Sequence, residues 1–406
     1  MTTTHRIGVI GLGQRIAHVL AAMKEVGWSL NVAGHVDPAP VGLPILKAFD
    51  IDPGRAFDTP QALLAAGPFD LIMIGSPNHL HLEHLKAAFA AGYPIFSEKP
   101  IVRTEEETFA LARLMAERAA PPLYIGLVMR SMPMAREAIA RVDAGMLGPL
   151  ISIDATEHLP PEHGGYLARN WRRRVDWGGS FMLDKVCHDF DILGRLIGAR
   201  AARAASFGGR RIFHPDRAAA APREYEDGRP AYAMRDAGWA AANDVFHSDM
   251  DVADHQTAIV EYEGGVQVSF HSNSHVALAE RRWYLAGAEG TMICDFVRNK
   301  LMFRRALDRA KPERIDFGGL TADAHNGADQ AMAIDLKATL EHGAAFPVTP
   351  YDSMEAGLTV MAIDRAMAEG TVIDCAPMWA QFDAARSGDP PHHPLIPANA
   401  GTQAGG

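Results

Sequence analysis

The sequence predicts an α/β protein of two domains: an N-terminal doubly wound parallel sheet, then a C-terminal α+β domain with an open, mostly antiparallel sheet. The 406 residues exceed what one ordinary hydrophobic core accommodates, so two domains are expected. In the first third, short apolar runs alternate with helical patterns, as in parallel sheets covered on both faces. Beyond residue 256, apolar and polar residues alternate, as in antiparallel strands with one open face.

The first domain is expected over residues 1–128. Its buried strands are predicted at residues 7–10, 30–36, 71–74, 94–97 and 123–127. Helices are predicted between them at residues 16–26, 60–66, 81–91 and 105–118. This alternation favours parallel pairing, because each helix carries the chain back so that the next strand starts in the same direction.

The second domain is expected over residues 129–386, and residues 387–406, rich in Pro, Gly and His, are interpreted as an extended or disordered tail. Helices are predicted at residues 133–144 and 178–198 and a strand at 150–156. Strands of the antiparallel sheet are predicted at residues 257–262, 266–271, 282–286 and 291–295. The segment 200–249 has weak periodicity and is interpreted as an irregular excursion.

The net charge of -10 argues against general binding to nucleic acid, which needs a positive surface. The basic run Arg172-Arg173-Arg174 is interpreted as a solvated loop edge or a contact for an anion. No apolar stretch approaches the roughly 18 residues of a membrane span, and residues 1–6 show no signal-peptide pattern. No nucleic-acid or membrane partner is therefore expected.

The cysteines and one acidic cluster bear on compartment and metal content. Cys187, Cys294 and Cys375 are widely separated and lack paired metal-ligand spacing, which indicates thiols in a reducing compartment. The cluster from Asp249 to His255 has no partner motif and no EF-hand glycine, so it is interpreted as a turn. The expectation is a cytoplasmic protein without a bound metal.

The first motif is the glycine turn that follows the first predicted strand. Gly11 suits a sharp strand-to-helix turn, and Gly13 lets a pyrophosphate approach the backbone N–H groups of a helix N-terminus. Ile16 stands where the third glycine of the Rossmann fingerprint is expected. The alternative is a glycine turn in an α/β domain without a cofactor. The candidate cofactor-binding residues of this turn are Gly11, Gly13, Gln14, Arg15 and Ile16.

Asp37 ends the second predicted strand, about twenty residues beyond the glycine turn. A carboxylate at this place accepts hydrogen bonds from the adenosine ribose hydroxyls and repels a 2′-phosphate. The sequence therefore predicts NAD as the cofactor in preference to NADP.

The second motif lies at the carboxyl ends of two further strands, where open α/β sheets bind their ligands. Lys99 in this motif suits stabilisation of negative charge on a substrate oxygen, although taken alone it fits a surface lysine equally well. The residues predicted to contact cofactor here are Ser76, Pro77, Asn78, His81, Glu98 and Lys99.

The third motif is Asp184-x-x-x-His188 on the predicted helix 178–198. Four residues of separation place both side chains on one helix face. An imidazole suits removal of a proton from an alcohol, and the carboxylate suits holding that imidazole or a substrate hydroxyl. The alternative is a polar pair on an exposed helix face. Lys185 points either toward this site or away from it, and the sequence does not decide between them.

Together these motifs resemble the glucose–fructose oxidoreductase / inositol dehydrogenase (Gfo/Idh/MocA) family, and the resemblance extends from His5 to about Cys375. It implies a Rossmann domain plus an open, mostly antiparallel α/β domain whose sheet often packs against another subunit. It also implies that Lys99, Asp184 and His188 form the catalytic triad. Lys185 stands where many members carry a small or apolar residue.

Other residues are weaker candidates for the substrate site. His158, placed just past the strand 150–156, and Trp171, before the catalytic helix, are predicted to bind substrate with Lys99, Asp184 and His188. A role in packing is the alternative for both. His275, Tyr166 and Trp177 are interpreted in the same way.

The expected activity is NAD-dependent hydride transfer between a nicotinamide and a secondary alcohol of a sugar, cyclitol, polyol or sugar derivative. Two alternatives remain open: a catalyst that retains NAD and uses transient oxidation to eliminate or hydrolyse a glycosidic bond, and a non-catalytic nucleotide-binding sensor. A homodimer or homotetramer is expected, because the alternating strands leave one sheet face without a covering helix.

Overall fold

In the computed structural model, which describes residues 3–116, 120–232, 238–318 and 326–387, the chain begins with a sheet of six parallel strands. The strands are β1 (Thr4–Ile10), β2 (Ser29–Val36), β3 (Arg55–Ala56), β4 (Leu71–Ile74), β5 (Ile95–Ser97) and β6 (Leu123–Ile125). The helices between them are α1 (Gln14–Glu25), α2 (Leu43–Ala48), α3 (Pro60–Ala65), α4 (His81–Ala91) and α5 (Glu105–Ala116).

The strand order of this sheet is β3-β2-β1-β4-β5-β6, with every neighbouring pair parallel. The chain therefore reverses its direction of travel through the sheet between β1 and β4, and this switch point opens the crevice in which such folds bind ligands. All five predicted strands are confirmed to within three residues at each end, and α2 and β3 were missed. The end of the helix predicted at 105–118 lies outside the described residues.

The second sheet has nine strands in the order β14-β13-β12-β11-β7-β10-β9-β8-β15. Only β7 and β10 pair in parallel among its described pairings, so the mostly antiparallel sheet is confirmed. The strands are β7 (Leu150–His158), β8 (Ala201–Gly209), β9 (His255–Tyr262), β10 (Gln267–Asn273), β11 (Glu280–Gly287), β12 (Gly290–Asp295), β13 (Lys300–Arg305), β14 (Glu313–Asp316) and β15 (Ile373–Asp374).

Some helices of the second half pack against this sheet, and others pack against helices of the first half. They are α6 (Pro133–Asp143), α7 (Pro161–Arg169), α8 (Val175–Gly178), α9 (Phe181–Ile197), α10 (Ala328–His342), α11 (Pro350–Glu369) and α12 (Ala376–Ala385). Helix α9 begins at Phe181 and not at residue 178, because Gly179 has a φ of 77° and Ser180 caps the helix by accepting from the Leu183 N–H.

The strand β8 corrects the interpretation of residues 200–249 as wholly irregular. Residues 201–209 pair with β9 along almost their full length. Their periodicity is weak in the sequence because small residues, Ala and Gly, stand at most of the alternating positions, whereas the pairing partner lies more than 45 residues away. The described part of the remainder, residues 210–249, is irregular as expected apart from a short helical turn at Pro215–Arg217 and an isolated β-bridge between Glu224 and Pro230.

Helix α10 joins the two halves of the molecule by packing against α1. The indole N–H of Trp28 donates to the Ala333 carbonyl at 3.1 Å, and the Arg15 guanidinium lies 2.6 Å from Asp329. These contacts fix the glycine turn of the first sheet relative to the second half. The expected boundary near residue 128 stays a prediction.

The second sheet has one covered face and one open face. Helices α9 and α11 pack together, and α11 also packs against β8. On the opposite face, Phe207 is 80% exposed and Ile259 is 59% exposed, and Tyr284 is also exposed.

No helix in the described part of the chain is long and apolar enough to cross a bilayer. Cys187, Cys294 and Cys375 are buried thiols without disulfide bonds.

Candidate active site

A cavity at the switch point between β1 and β4 extends from the glycine turn to helix α9 in the second half of the chain. It contains most of the residues that the sequence predicted to bind cofactor or substrate. Those lining it are Gly11, Gly13, Gln14, Arg15, Asp37, Ser76, Pro77, Asn78, His81, Glu98, Lys99, Trp171, Asp184 and His188.

The glycine turn has the close approaches that a dinucleotide site requires. Gly11 has a φ of +87°, and a Cβ placed on it would lie 2.2 Å from the backbone nitrogen of Ser76. A Cβ on Gly13 would meet only the Gly75 carbonyl oxygen, at 3.9 Å, so a side chain there would fill open space beside the cavity. Gly13 also precedes the first residue of α1, whose backbone N–H groups suit a pyrophosphate. These residues fit NAD.

Ile16 does not belong to the cofactor surface, which corrects the sequence prediction. Its side chain is fully buried and is not among those that line the cavity. A Cβ built on Gly75, at the end of β4, would lie 2.0 Å from Ile16 Cγ1. The close packing of helix on strand that a third glycine normally allows is therefore provided by Gly75 from the strand side.

Asp37 and Arg15 both line the cavity. The Asp37 carboxylate accepts from the Ala39 N–H at 2.7 Å, and its pKa is raised chiefly by burial. Arg15 donates from Nε to Glu98 Oε1 at 3.0 Å and pairs with Asp329. Because two carboxylates engage the Arg15 guanidinium, it is not available to bind a 2′-phosphate beside Asp37.

The Ser76–His81 segment connects the first sheet with the start of helix α9. Asn78 Nδ2 donates to the Gly178 carbonyl at 2.7 Å, two residues before the N-cap of α9. The ring nitrogens of buried His81 lie 2.9 Å from the carbonyl oxygens of Pro100 and Ser76, and burial lowers the pKa of His81 to about 4. The ring is therefore neutral near pH 7 and donates to one of these two carbonyl oxygens.

Lys99 and Asp184 meet at the far end of the cavity, although they come from different halves of the chain. The Lys99 ammonium donates to the backbone carbonyl of Asp184 and lies 3.7 Å from Asp184 Oδ1. Arg172 Nε donates to the same Oδ1 at 3.0 Å. Burial raises the pKa of Asp184, but the cations of Lys99, Arg172 and Lys185 outweigh burial and hold the pKa below its usual range. Asp184 is therefore a permanent anion that anchors Lys99.

His188 lies one helical turn beyond Asp184 and lines the same cavity. Only 4% of Asp184 and 7% of His188 is exposed, which contradicts the alternative of a polar pair on an exposed helix face. The hydrogen bonds and ion pairs described for the Asp184 carboxylate are with Arg172 and Lys99. The contacts described for Asp184 therefore connect it to Lys99, another member of the expected triad, and not to His188.

The sequence analysis did not name several cavity residues, among them His163, Asn170, Trp239 and Arg281. Lys185 points into the cavity, which answers the question that the sequence left open. Arg172 also belongs to the site, whereas Arg173 and Arg174 bind Asp249 and Asp251. The signal for Arg172 was present in the basic run, which was interpreted as a loop edge or an anion contact.

Of the weaker candidates for the substrate site, most lie outside the cavity. His158 does not line the cavity: it ends β7, its ring packs against that of His271 at 4.9 Å, and it accepts from Asn273 at 3.1 Å. Because side chains alternate along a strand, the neighbour Glu157 faces the covered side and His158 the open side. His275 packs against Phe213 in an aromatic cluster. Tyr166 lines the cavity, and Trp177 contacts Trp239 from outside it.

A parallel sheet with this glycine turn, joined to a second domain that adds Asp184 and His188, defines a two-domain dinucleotide-binding protein. Residues 5–125 match the profile described as oxidoreductase family, NAD-binding Rossmann fold, and residues 135–293 match the GFO/IDH/MocA C-terminal domain. The two profiles together cover more than half of the chain. The chain belongs to the Gfo/Idh/MocA family of oxidoreductases, and its first domain is an NAD-binding Rossmann domain.

Individual relatives agree with this assignment. The rhizopine catabolism protein MocA of Rhizobium meliloti is 29% identical over 199 residues, which are 48% of this chain and 58% of that protein. An inositol 2-dehydrogenase of Leifsonia xyli subsp. xyli is 27% identical over 208 residues, 50% of this chain and 57% of that protein. The chain thus spans little more than half the length of both. A levoglucosan dehydrogenase in complex with NADH has a TM-score of 0.73 at 19% identity, covering 92% of this chain and 99% of that one, and is similar in fold.

Proposed function

We propose that this chain is an NAD-dependent dehydrogenase that transfers a hydride between the nicotinamide cofactor and a secondary alcohol of a sugar, cyclitol, polyol or sugar derivative. One observation carries the proposal: Lys99 from the Rossmann domain and His188 from the second domain line one cavity, which also contains the glycine turn. A cation that stabilises a substrate oxygen and a base that takes its proton are the groups that oxidation of an alcohol needs.

Each residue has a defined task in this reaction. NAD, when bound, supplies the hydride acceptor. His188 accepts the proton of the substrate hydroxyl, and the Lys99 ammonium stabilises negative charge on the same oxygen. Asp184 holds Lys99 in place through its carbonyl and carboxylate, and Arg172 holds Asp184. The same groups serve in the reverse direction, with His188 as the proton donor.

The named relatives support a polyhydroxylated substrate. Inositol and levoglucosan, after which two similar proteins are named, are rings with several secondary hydroxyls. A cavity with Lys99, Arg172 and Asn170 in its wall offers several hydrogen-bond donors to such hydroxyls. Trp171 and Tyr166 add aromatic surface that suits a sugar ring.

The proposal is tested by incubating the protein with NAD and a panel of monosaccharides, cyclitols and sugar acids while NADH absorbance is recorded. Net NADH production with at least one compound is expected. Turnover of a glycoside without NADH accumulation would instead support a catalyst that retains its cofactor. Tight NAD binding without turnover of any compound would support a nucleotide-binding sensor.

The position of Asp37 supports NAD over NADP. Its carboxylate lines the cofactor end of the cavity, and Arg15, which could otherwise receive a 2′-phosphate, is engaged by Glu98 and Asp329. NAD is therefore expected to bind at least tenfold more tightly, because one unpaired carboxylate beside a phosphate costs on the order of 1.4 kcal/mol or more. Fluorescence titration with both cofactors measures this. Equal or tighter binding of NADP would contradict it.

The open sheet face supports a homodimer or homotetramer. Phe207, Ile259 and Tyr284 are exposed together on that face, and such apolar surfaces are commonly buried by another subunit. Multi-angle light scattering should show an oligomer that Ile259→Arg dissociates. The control is Leu307→Arg, which places the same charge at an exposed residue just beyond β13. A wild-type monomer at micromolar concentration would contradict the proposal.

A further inference from the structure

Lys185 lies between the two catalytic residues of helix α9 and faces the cavity with them. Its side chain is half-buried, and its ammonium donates to Nε2 of His163, on α7, at 3.0 Å. Lys185 therefore reaches α7 from helix α9 along the cavity wall. The mechanism described above gives this residue no task.

The cations of the substrate end differ in how they are paired. Arg172 and Lys99 share the carboxylate of Asp184. Arg281, which also lines the cavity, lies 3.3 Å from Glu157 and donates to Asp189 at 3.1 Å. The partner described for Lys185 is an imidazole. Among the described residues, Lys185 is therefore the cavity cation without a carboxylate in direct contact.

The surroundings of Lys185 make the lack of a carboxylate partner significant. Burial lowers the pKa of Lys185 to about 8, and Lys99 acts in the same direction, while Glu157 opposes them. The side chain is nevertheless mostly protonated near pH 7, so the cavity holds a half-buried cation that no carboxylate contacts directly among the described residues. A ligand anion would stabilise that cation, because buried charges are stable when paired.

We propose that Lys185 binds a carboxylate of the substrate, and that the substrate is therefore a polyhydroxylated acid, such as an aldonate, a uronate or a cyclic hydroxy acid. This inference rests on the proposed function, since it places the reacting alcohol between Lys99 and His188. A carboxylate balances the single charge of Lys185. A phosphate dianion would add a second negative charge near Asp184, which lines the cavity, and Glu157, which pairs with the cavity residue Arg281.

Matched substrates that differ in one carboxylate test the inference. NADH production is measured for D-glucuronate with D-glucose and for D-galacturonate with D-galactose, and glucose 6-phosphate serves as the dianion. The wild type is expected to prefer each acid, by kcat/KM, at least about tenfold, the scale of one charge-assisted hydrogen bond. Lys185→Met should lower kcat/KM for the acid, mainly through KM, at least about tenfold more than for the neutral sugar. Lys86→Met, at an exposed position of α4, is the matched control.

A binding measurement decides the inference even without turnover. Calorimetry on the NADH-bound protein is expected to show tighter binding of D-gluconate than of its uncharged counterpart D-glucitol, and Lys185→Met should remove the difference. Equal binding of the two, or a preference for glucose 6-phosphate over the acids, would overturn the inference. Oxidation of neutral sugars in preference to acids would also overturn it but would leave the proposed dehydrogenase intact. Selective gluconate binding without oxidation of any compound would contradict the proposed function alone.

Discussion

Two carboxylates near the start of helix α9, the buried Asp184 and the half-buried Asp364, have pKa values shifted in opposite directions. Asp184 contacts the cations of Lys99 and Arg172, and its pKa lies below the usual range. Asp364, on α11, accepts hydrogen bonds from the neutral side chains of Ser180 and Gln256, and burial raises its pKa to about 6. At Asp184 the neighbouring cations outweigh burial and lower the pKa, whereas at Asp364, whose described partners are neutral, burial prevails and raises the pKa.

The two carboxylates also mark two sides of helix α9 that have different roles. The side that bears Asp184 faces the cavity, where a permanent anion holds Lys99. The side at Ser180 faces α11, where Asp364 joins the helix cap to Gln256 of β9. Substitutions on the cavity side should therefore change turnover with little change in stability. Substitutions on the α11 side should change stability and its pH dependence with little change in turnover.

The largest effect is expected on the cavity side. His188→Ala and Lys99→Ala should each lower kcat on the identified substrate by a hundredfold or more, the usual scale for proton-transfer and charge-stabilising groups. The double variant should lose less than the product of the two losses, because both residues act on the same oxygen. Steady-state kinetics on folded protein, with Tm as the check on folding, measures this.

His342→Ala, at an exposed residue at the end of α10, is the matched control for loss of an imidazole. NAD affinity should change little in His188→Ala, because that residue belongs to the second half of the chain. If His188→Ala retains a kcat near that of the wild type, the mechanism is wrong.

A smaller effect is expected from Asp364→Asn on the α11 side. A carboxyl group whose pKa is raised by folding stabilises the native state below its unfolded value and loses that contribution as the pH rises through about 6. The shift of about two pKa units corresponds to at most about 3 kcal/mol. Chemical denaturation from pH 4 to pH 7.5 should therefore show Asp364→Asn gaining stability relative to the wild type as the pH rises.

Asp216→Asn, which removes an exposed carboxylate, is the control for the change in net charge. A difference in the free energy of unfolding between Asp364→Asn and the wild type that does not vary with pH would show that Asp364 is ionised in the native protein throughout this range.

The smallest effect is expected from Ser180→Ala. This variant removes the side-chain cap of α9 and costs about 1 kcal/mol of stability, the typical value for a helix N-cap. Thr349→Ala removes the corresponding cap of α11 and serves as the control. Only Ser180→Ala also removes a donor to Asp364, so its loss of stability should grow as the pH rises. Equal pH dependence in the two variants would contradict the assigned contact.

The sequence predicted the sites that depend on local pattern. In the first sheet the motif residues follow the carboxyl ends of strands, and parallel strands bring these ends to one edge of the sheet. The sequence could therefore predict that Lys99 and the glycine turn lie at the same edge. Asp184 and His188 followed from helical spacing. That these two groups share a cavity with Lys99 was not a local property and came from the family resemblance.

What the sequence missed depends on pairing between distant residues. Strand β8 is defined by its pairing with β9, not by its own alternation of small residues. The direction of Lys185 is set by the packing of α7, which brings His163 within 3.0 Å. Trp239 reaches the cavity from the irregular segment, where no periodicity marks it. His158 was misplaced because β7 is two residues longer than predicted, so this residue lies within the strand and on its open face.

The contact of Ile16 with Gly75 constrains the order in which substitutions can accumulate during evolution. A Cβ at position 75 would overlap the Ile16 side chain at 2.0 Å, so an isoleucine at position 16 is tolerated only after glycine stands at position 75. Reversal is also restricted, because Ile16→Gly would empty a fully buried site and cost roughly 3 kcal/mol or more. The two positions are therefore epistatic. A search that requires the glycine only on the helix would pass over chains that carry it on the neighbouring strand.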